Sequence, residues 1–418
     1  MTIRMDQLIK ALTTALDIVE GELLGASSMH GKRVAVLSGI MGLRLGMWDE
    51  ELRALTICAL LHDNALTEYI ASELDGEEHD AAMKSHCEIG QRNVNTLNFK
   101  TNYSDFVLYH HERPNGAGSF QKREGEFSTG AAIICIADTL DVINHLQRVR
   151  VERLPEIHRY IESGAGTLFT REAAEAMLGI LDENLLETLK DENIEAATLK
   201  FIPAWYAEME NEVIINLATF FTHIIDYKSK FTRKHSTQIA NRAWLMACRY
   251  GYPLSTCTEI YLAAALHDLG KLAISSSILE KPGKLDDEEF EIIKSHVYKT
   301  WEMLKDIEGF EEIHLWASNH HEKLNGAGYP FGKKAEELDF VSRLLACIDI
   351  YQAVSEERPY HAGRGHRETI GILQDMARKG FIDRNITEDL NKMLLDFDGR
   401  DVPPPDLEAF RKARKTLV

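Results

Sequence analysis

The sequence is short of several things, and each shortage excludes something. It holds only 10 prolines in 418 residues, so long stretches can run as helix without interruption. Its six cysteines (Cys58, Cys87, Cys135, Cys248, Cys257 and Cys347) show no C-x-x-C spacing and lie mostly in apolar stretches. That argues against disulfides and a thiolate metal site, and for reduced, buried thiols. Basic charge is also short. Lys and Arg total 47 against 66 Asp and Glu, a formal net charge of -19. Such a chain is not a nucleic-acid polymer surface. An anionic substrate would need local cations, which bound metal ions could supply. No apolar run reaches the roughly 18–20 residues that span a bilayer. Nor does Met1–Asp6 begin a basic region followed by a long apolar run, so no signal peptide is expected. These absences together predict a cytoplasmic protein with no membrane span.

What remains is globular. Hydrophobic residues make up 44% and charged residues 27%. The length suggests about two domains. Residues 5–24 and 28–46 read as amphipathic helices, with His30 near the start of the second. Glu51–His62 is an apolar helix running into Asp63. His86 falls in the next helix. Tyr103–His111 reads as a helix ending in His110-His111, followed by the loop Asn115-Gly116-Ala117-Gly118. Ala131–Ile143 is an apolar helix carrying Asp138.

The second half repeats this order. His235 begins a helix, and Ile260–His267 is apolar and runs into Asp268. His296 sits in mid-helix. His320-His321 end a helix before the loop Asn325-Gly326-Ala327-Gly328. Leu344–Val354 carries Asp349. The offset between halves is 205 residues for His30/His235 and His62/His267, 210 for His86/His296 and His110/His320, and 211 for Asp138/Asp349. It changes only where a loop could absorb an insertion. Ten of the 17 histidines fall on repeated positions, far more than chance would place there. The expectation is an all-α protein, a tandem duplication of helical bundles, with domains at 1–203 and 204–418. Thr170–Lys200 reads as helices that finish the first domain, Pro203 as the boundary, and Glu208–Tyr227 as a long helix leading into the second. The run Asp286-Asp287-Glu288-Glu289 reads as a helix N-terminus, where carboxylates suit the dipole. His361 and His366, in a polar loop with glycine, read as surface histidines.

His235, His267, Asp268, His296, His320, His321 and Asp349 are five imidazoles and two carboxylates, mostly on or at the ends of apolar helices. Buried and unpartnered, they would be costly; metal coordination resolves the cost. Mixed imidazole and carboxylate ligands suit iron, manganese or zinc. The set is too large for one tetrahedral ion and suits two divalent ions, with Asp268 bridging them. Two such ions clamp an in-line displacement at phosphorus, with a hydroxide between them as nucleophile. Lys271 is placed to reach a phosphate oxygen. After the histidine pair, Gly326 and Gly328 allow close backbone approach and Pro330 stiffens the exit.

At these residues the chain resembles a known family. His267-Asp268-Leu269-Gly270-Lys271 is similar to the HD-x-GK element of the HD superfamily of metal-dependent phosphohydrolases. Ser277–Leu285, His320–Pro330 and Arg358-Pro359-Tyr360 resemble the HD-GYP family, a likeness covering roughly 225–370. The resemblance implies hydrolysis of a bacterial cyclic dinucleotide, above all cyclic di-GMP, to a linear dinucleotide or GMP, with 3′,3′-cyclic GMP-AMP as the alternative substrate. It implies two ions, iron or manganese, in the second half. It implies a substrate loop shaped by Asn325, Gly326, Gly328, Tyr329 and Pro330, with Arg358 approaching guanine or phosphate. The chain departs from the family in two places. Phe231 stands where some members have a glutamate for a third metal, so two ions are expected. Gln352 stands where the family often continues Asp-x-x-Asp after Asp349.

The first half keeps His30, His62, Asp63, His86, His110, His111 and Asp138. It has Leu66 in place of Lys271 and Ser119-Phe120 in place of Tyr329-Pro330. It therefore reads as an HD-type domain outside the full pattern. A structural or regulatory metal site, a hydrolase of other specificity and an apo scaffold are its three readings. A homodimer or a signalling partner protein is the expected assembly, and a rival reading of the whole chain is a sensor that binds a cyclic dinucleotide with little turnover and acts through a partner. Lys271 and the intact loop favour the enzyme, and Gln352 leaves room for the sensor.

Overall fold

Two stretches of uninterrupted apolar sequence become the central helices of the fold. The computed structural model describes residues 1–418 except 24–28, 67–78, 96–104, 229–233, 282, 357–362, 399 and 416–418. Helix dominates the described residues. Their two strands, Thr2–Arg4 and Tyr206–Glu208, pair antiparallel with Ile3 opposite Ala207. The chain divides into two compact units: one is Ile9–Trp205, and the other joins Met1–Leu8 to Tyr206–Val418. The strand pairing carries the first eight residues into the second unit. No local pattern in the sequence marks so distant a partner.

In the first unit, His30–Arg44 packs against Asp49–Leu60 and Thr129–Asn144. Ser128 caps the last of these by accepting from the Ala131 amide at 3.2 Å. Gly130 to Asp138 is buried without a break, so this helix is core on all sides. Three short helices, Arg171–Leu178, Glu183–Thr188 and Asp191–Thr198, occupy the segment expected to finish this half.

The second unit is built around Leu254–Leu266, whose last seven residues are at most 2% exposed. His235–Arg249, Asn211–Tyr227 and Ile313–Ser318 pack on it. The acidic run does open a helix, Asp287–Leu304. Asp286 accepts from the Glu289 amide and Glu289 from the Asp286 amide, both at 2.9 Å, in a capping box. The Phe340–Ser355 helix carries Asp349.

Two expectations fail. Asp105–His111, the described part of the segment expected to be a helix, is a series of turns. The Gln91 side chain accepts from the Val107 and Leu108 amides at 3.1 and 3.0 Å. Those donors are therefore not spent on carbonyls one turn back. His366 is buried, not surface. It opens the His366–Arg378 helix with its Nδ1 2.8 Å from the Tyr351 hydroxyl and its Nε2 3.2 Å from the Asn391 backbone oxygen. His361 lies outside the described residues, as do Phe231 and Arg358. All six cysteines stand outside disulfides, and five are buried. No helix among the described residues is long and apolar enough to cross a membrane.

Candidate metal centres

The central helix of the second unit ends at Leu266, and His267 and Asp268 follow it directly, both still buried. The chain then tightens into the 3-10 turn Leu269–Ala273. Gly270 is required there, because a Cβ would strike the His296 backbone carbonyl. Its amide donates to Thr300 Oγ1 at 2.9 Å, and that hydroxyl donates to the His267 carbonyl at 3.0 Å. These contacts lock the His267–Asp268 turn against the helix bearing His296.

Asp268 faces two groups of imidazoles. Its Oδ1 lies 3.2 Å from His296 Nε2 and 4.0 Å from His320 Nε2. Its Oδ2 lies 3.2 Å from His267 Nε2 and 3.6 Å from His235 Nε2. Asp349 closes the ring, with Oδ1 3.6 Å from His235 Nε2 and Oδ2 3.5 Å from His321 Nδ1. All seven second-half residues expected as ligands thus converge. His235-His267-Asp268 and His296-His320-His321 form two compact donor sets, each within 4.8 Å.

The donors fit a divalent metal. The His267 Nε2 and Asp268 Oδ1 atoms are buried with no hydrogen-bond partner, an expensive arrangement unless a cation binds there. Nδ1 of His267, His296 and His320 faces the backbone carbonyl three residues back, at 2.6, 2.6 and 2.7 Å. That contact favours the tautomer whose Nε2 lone pair points into the cluster. Ligand bonds of about 2.1 Å imply donor separations of roughly 3.0–3.4 Å; Asp268 meets His267 and His296 within that range, at 3.2 Å, and His235 and His320 beyond it, at 3.6 and 4.0 Å.

Without an ion, the donors perturb each other. Burial opposes the Asp268 charge, but His267 and Lys271 outweigh it and hold the carboxyl well below its usual range. Burial works against the His235 cation too, yet the neighbouring Asp349 and Glu356 carboxylates push that imidazole up to about 9. Burial, with Asp349 resisting, brings His321 down to about 4. Burial and the neighbouring His321 hold His320 well below its ordinary value. Lys271 lies in the 3-10 turn with Nζ 2.5 Å from Asp268 Oδ2.

The first unit repeats the arrangement. Asp63 Oδ1 lies 3.2 Å from His86 Nε2, and Oδ2 lies 3.5 Å from His62 Nε2. Asp138 reaches His30 at 3.3 Å and His111 at 3.9 Å. The donor sets are His30-His62-Asp63 and Asp63-His86-His110-His111. Hydrogen-bond partners are missing at the buried Nε2 atoms of His62 and His110. Leu66, at the position of Lys271, is buried and apolar.

Each unit has a loop beside its histidine pair. Gly326 takes φ 78°, a left-handed conformation suited to glycine. The Asn325 side chain accepts from the Ala327 amide at 3.1 Å. At Gly328 a Cβ would collide with the Glu322–Lys323 backbone. Tyr329 stacks obliquely on His321 at 4.9 Å, and Pro330 follows it through a cis peptide bond. The loop hangs from buried Glu322, whose carboxylate accepts from the Phe331, Gly332 and Lys333 amides at 2.7, 3.1 and 3.0 Å. Glu112 holds the Phe120 and Lys122 amides, both at 2.7 Å. Sequence reasoning missed these two glutamates as loop anchors, although each directly follows a histidine pair.

Profiles of the HD domain match residues 28–143 and 219–386. Both halves are HD domains. The tandem HD chain is homologous to phosphodiesterases of the HD-GYP family. It is 28% identical over 372 residues to 3′3′-cGAMP-specific phosphodiesterase 1 of Vibrio cholerae, covering 85% of each chain. It is 26% identical to phosphodiesterase 3 of that specificity from the same organism, covering 90% of this chain and 91% of the relative. A cyclic di-GMP phosphodiesterase of Pseudomonas aeruginosa is 34% identical over 142 residues, 34% of each chain. A crystal structure of a cyclic GMP-AMP-specific phosphodiesterase of V. cholerae has the same fold. Its TM-score is 0.63 at 22% identity, covering 94% of this chain and 98% of that one.

Proposed function

We propose that the second HD domain hydrolyses a 3′,5′-phosphodiester of a cyclic dinucleotide, and that 3′3′-cGAMP is its substrate. The observation that carries the reaction class is Asp268, one carboxylate facing two imidazole sets, with a lysine ammonium against it. His235, His267, His296, His320, His321, Asp268 and Asp349 would hold two divalent ions, iron or manganese. When bound, such ions supply Lewis-acid activation of water and neutralise charge on the phosphate. The chain's own groups do the rest. Asp268 keeps the two donor sets in one register. Lys271 leaves Asp268 to donate to a non-bridging phosphate oxygen as negative charge grows there. Glu322 holds the Asn325–Pro330 loop at the mouth of the site, and Tyr329 lies over His321 as one wall. We also propose a cytoplasmic location, a reading supported by six cysteines that stand outside disulfides.

The choice of substrate rests on coverage. Two relatives specific for 3′3′-cGAMP align across both halves, whereas the cyclic di-GMP phosphodiesterase of P. aeruginosa aligns over about a third of the chain, as does a third 3′3′-cGAMP-specific relative. Cyclic di-GMP is the second reading, supported by the 34% identity to that phosphodiesterase over its aligned third. The first domain is proposed as a second metal-binding domain with little hydrolysis of its own, since Leu66 cannot donate. Chromatographic product analysis of manganese-loaded protein with each dinucleotide is the test. Faster turnover of 3′3′-cGAMP is expected. Faster turnover of cyclic di-GMP would reverse the assignment. No hydrolysis of either, with both second-domain ions bound, would leave the sensor reading.

A further inference from the structure

The departure at Gln352 has a physical counterpart elsewhere in the chain. The 205-residue offset that pairs His30 with His235 also pairs Arg33 with Gln238, and the 211-residue offset that pairs Asp138 with Asp349 also pairs Asp141 with Gln352. In the first unit Arg33 and Asp141 are a buried ion pair, Nε to Oδ1 at 2.8 Å. The other oxygen of Asp141 lies 2.7 Å from His30 Nδ1. Asp141 thus orients the first imidazole of that domain. The second unit has glutamine at both positions, and its two charges stand one helical turn further on. Arg242 follows Gln238 by four residues, and Glu356 follows Gln352 by four. Arg242 Nη1 donates to Gln352 Oε1 at 2.5 Å and to Gln238 Oε1 at 3.2 Å. Glu356 Oε2 lies 2.9 Å from His235 Nδ1.

We propose that Glu356 is the positioning residue for His235, doing from the residue directly after the Asp349 helix what Asp141 does for His30. His30 and His235 each open a helix, and each ring is held by a carboxylate side chain. His267, His296 and His320 are held by carbonyls of their own chain three residues back. A carboxylate accepting from Nδ1–H fixes the tautomer, aims Nε2 inward and makes the imidazole a better ligand. Gln352 meanwhile serves Arg242, so its neutrality removes nothing from the donor set. Losing the Asp-x-x-Asp pattern therefore does not disable the centre.

This rests on the metal-binding reading of the second domain, and the experiment separates the two. Full-length protein carrying Asp63→Ala, which removes the shared carboxylate of the first domain, is stripped of metal and titrated with Mn²⁺ by calorimetry. Two ions are expected. Adding Glu356→Ala should weaken one of them about 10–100-fold and leave the other. Glu356→Gln, which keeps an acceptor without charge, should fall between. Gln352→Asp in the Glu356→Ala background should recover most of the lost affinity, because it restores the first domain's arrangement. Melting of the metal-free variants reports whether each is folded. Unchanged Mn²⁺ affinity in folded Glu356→Ala overturns the proposal. So does a folded double variant that recovers nothing. If the parent binds no Mn²⁺, the metal-centre reading itself fails and the proposal with it.

Discussion

Replacing Lys271 with alanine separates two roles that the structure gives one ammonium. Lys271 is 22% exposed and its Nζ sits 2.5 Å from Asp268 Oδ2. In the resting site it is a countercharge to the carboxylate that joins the donor sets. It is therefore a competitor for the oxygen that would take up an ion. Removing it leaves Asp268 more available to metal, so both ions should stay, bound as tightly or more so. In turnover the same ammonium is the group able to meet charge growing on a phosphate oxygen. A preorganised donor of this kind is typically worth ~10²–10³ in rate, about 2.7–4 kcal/mol. Lys271→Ala should therefore lower kcat by roughly that factor at full metal occupancy. Measuring metal content and initial rates on the same preparation, with 3′3′-cGAMP and cyclic di-GMP, tests both parts. Loss of an ion in this variant would mean that Lys271 acts by holding Asp268 in place. A kcat within roughly threefold of wild type would remove it from the chemistry.

Other outcomes follow from the same geometry. Asp268→Ala removes the carboxylate facing both donor sets, so metal and turnover should both be lost while far-ultraviolet circular dichroism stays helical. Unchanged metal stoichiometry would take Asp268 out of the bridging role. His110→Ala with His111→Ala should empty the first domain yet keep most cyclic-dinucleotide hydrolysis; a dead enzyme with its second-domain ions bound would contradict the division of labour. For metal-free protein, His111 and His321 are lowered to about 4, chiefly by burial. Protonation then favours the unfolded chain, and stability should fall as pH drops from about 6.5 toward 4. The ceiling is about 3 kcal/mol for each group, and less in practice because solvent reaches both rings. His62 and His235 are raised to about 9, against burial, by Asp63 for the first and by Asp349 and Glu356 for the second. Their contribution is complete below about 6.5 and lost as pH rises through about 9. Melting curves across pH on chelated protein should show both limbs, and a flat profile from pH 6.5 to 4 would refute the acid limb.

Much of the centre could be read from residue order alone. Histidine and aspartate recurring at nearly constant offsets mark a duplication, because a repeated fold needs its ligands at repeated helix ends. The apolar runs before His62 and His267 mark core helices, since only full burial tolerates such runs. A metal explains the otherwise costly donors. These conclusions need only local periodicity and composition. The tertiary structure decided what depends on contacts distant in sequence. Strand pairing carries Met1–Leu8 into the second unit, and Gln91 takes the amides that would have made Asp105–His111 a helix. His366 is buried because Tyr351 and Asn391 satisfy its ring, although its own neighbours are polar. The sharpest case is Gln352, which looks like a lost carboxylate in the sequence. Only packing shows Glu356 one turn away, bonded to His235, because a hydrogen bond depends on where two helices meet and not on the position a residue holds in a motif.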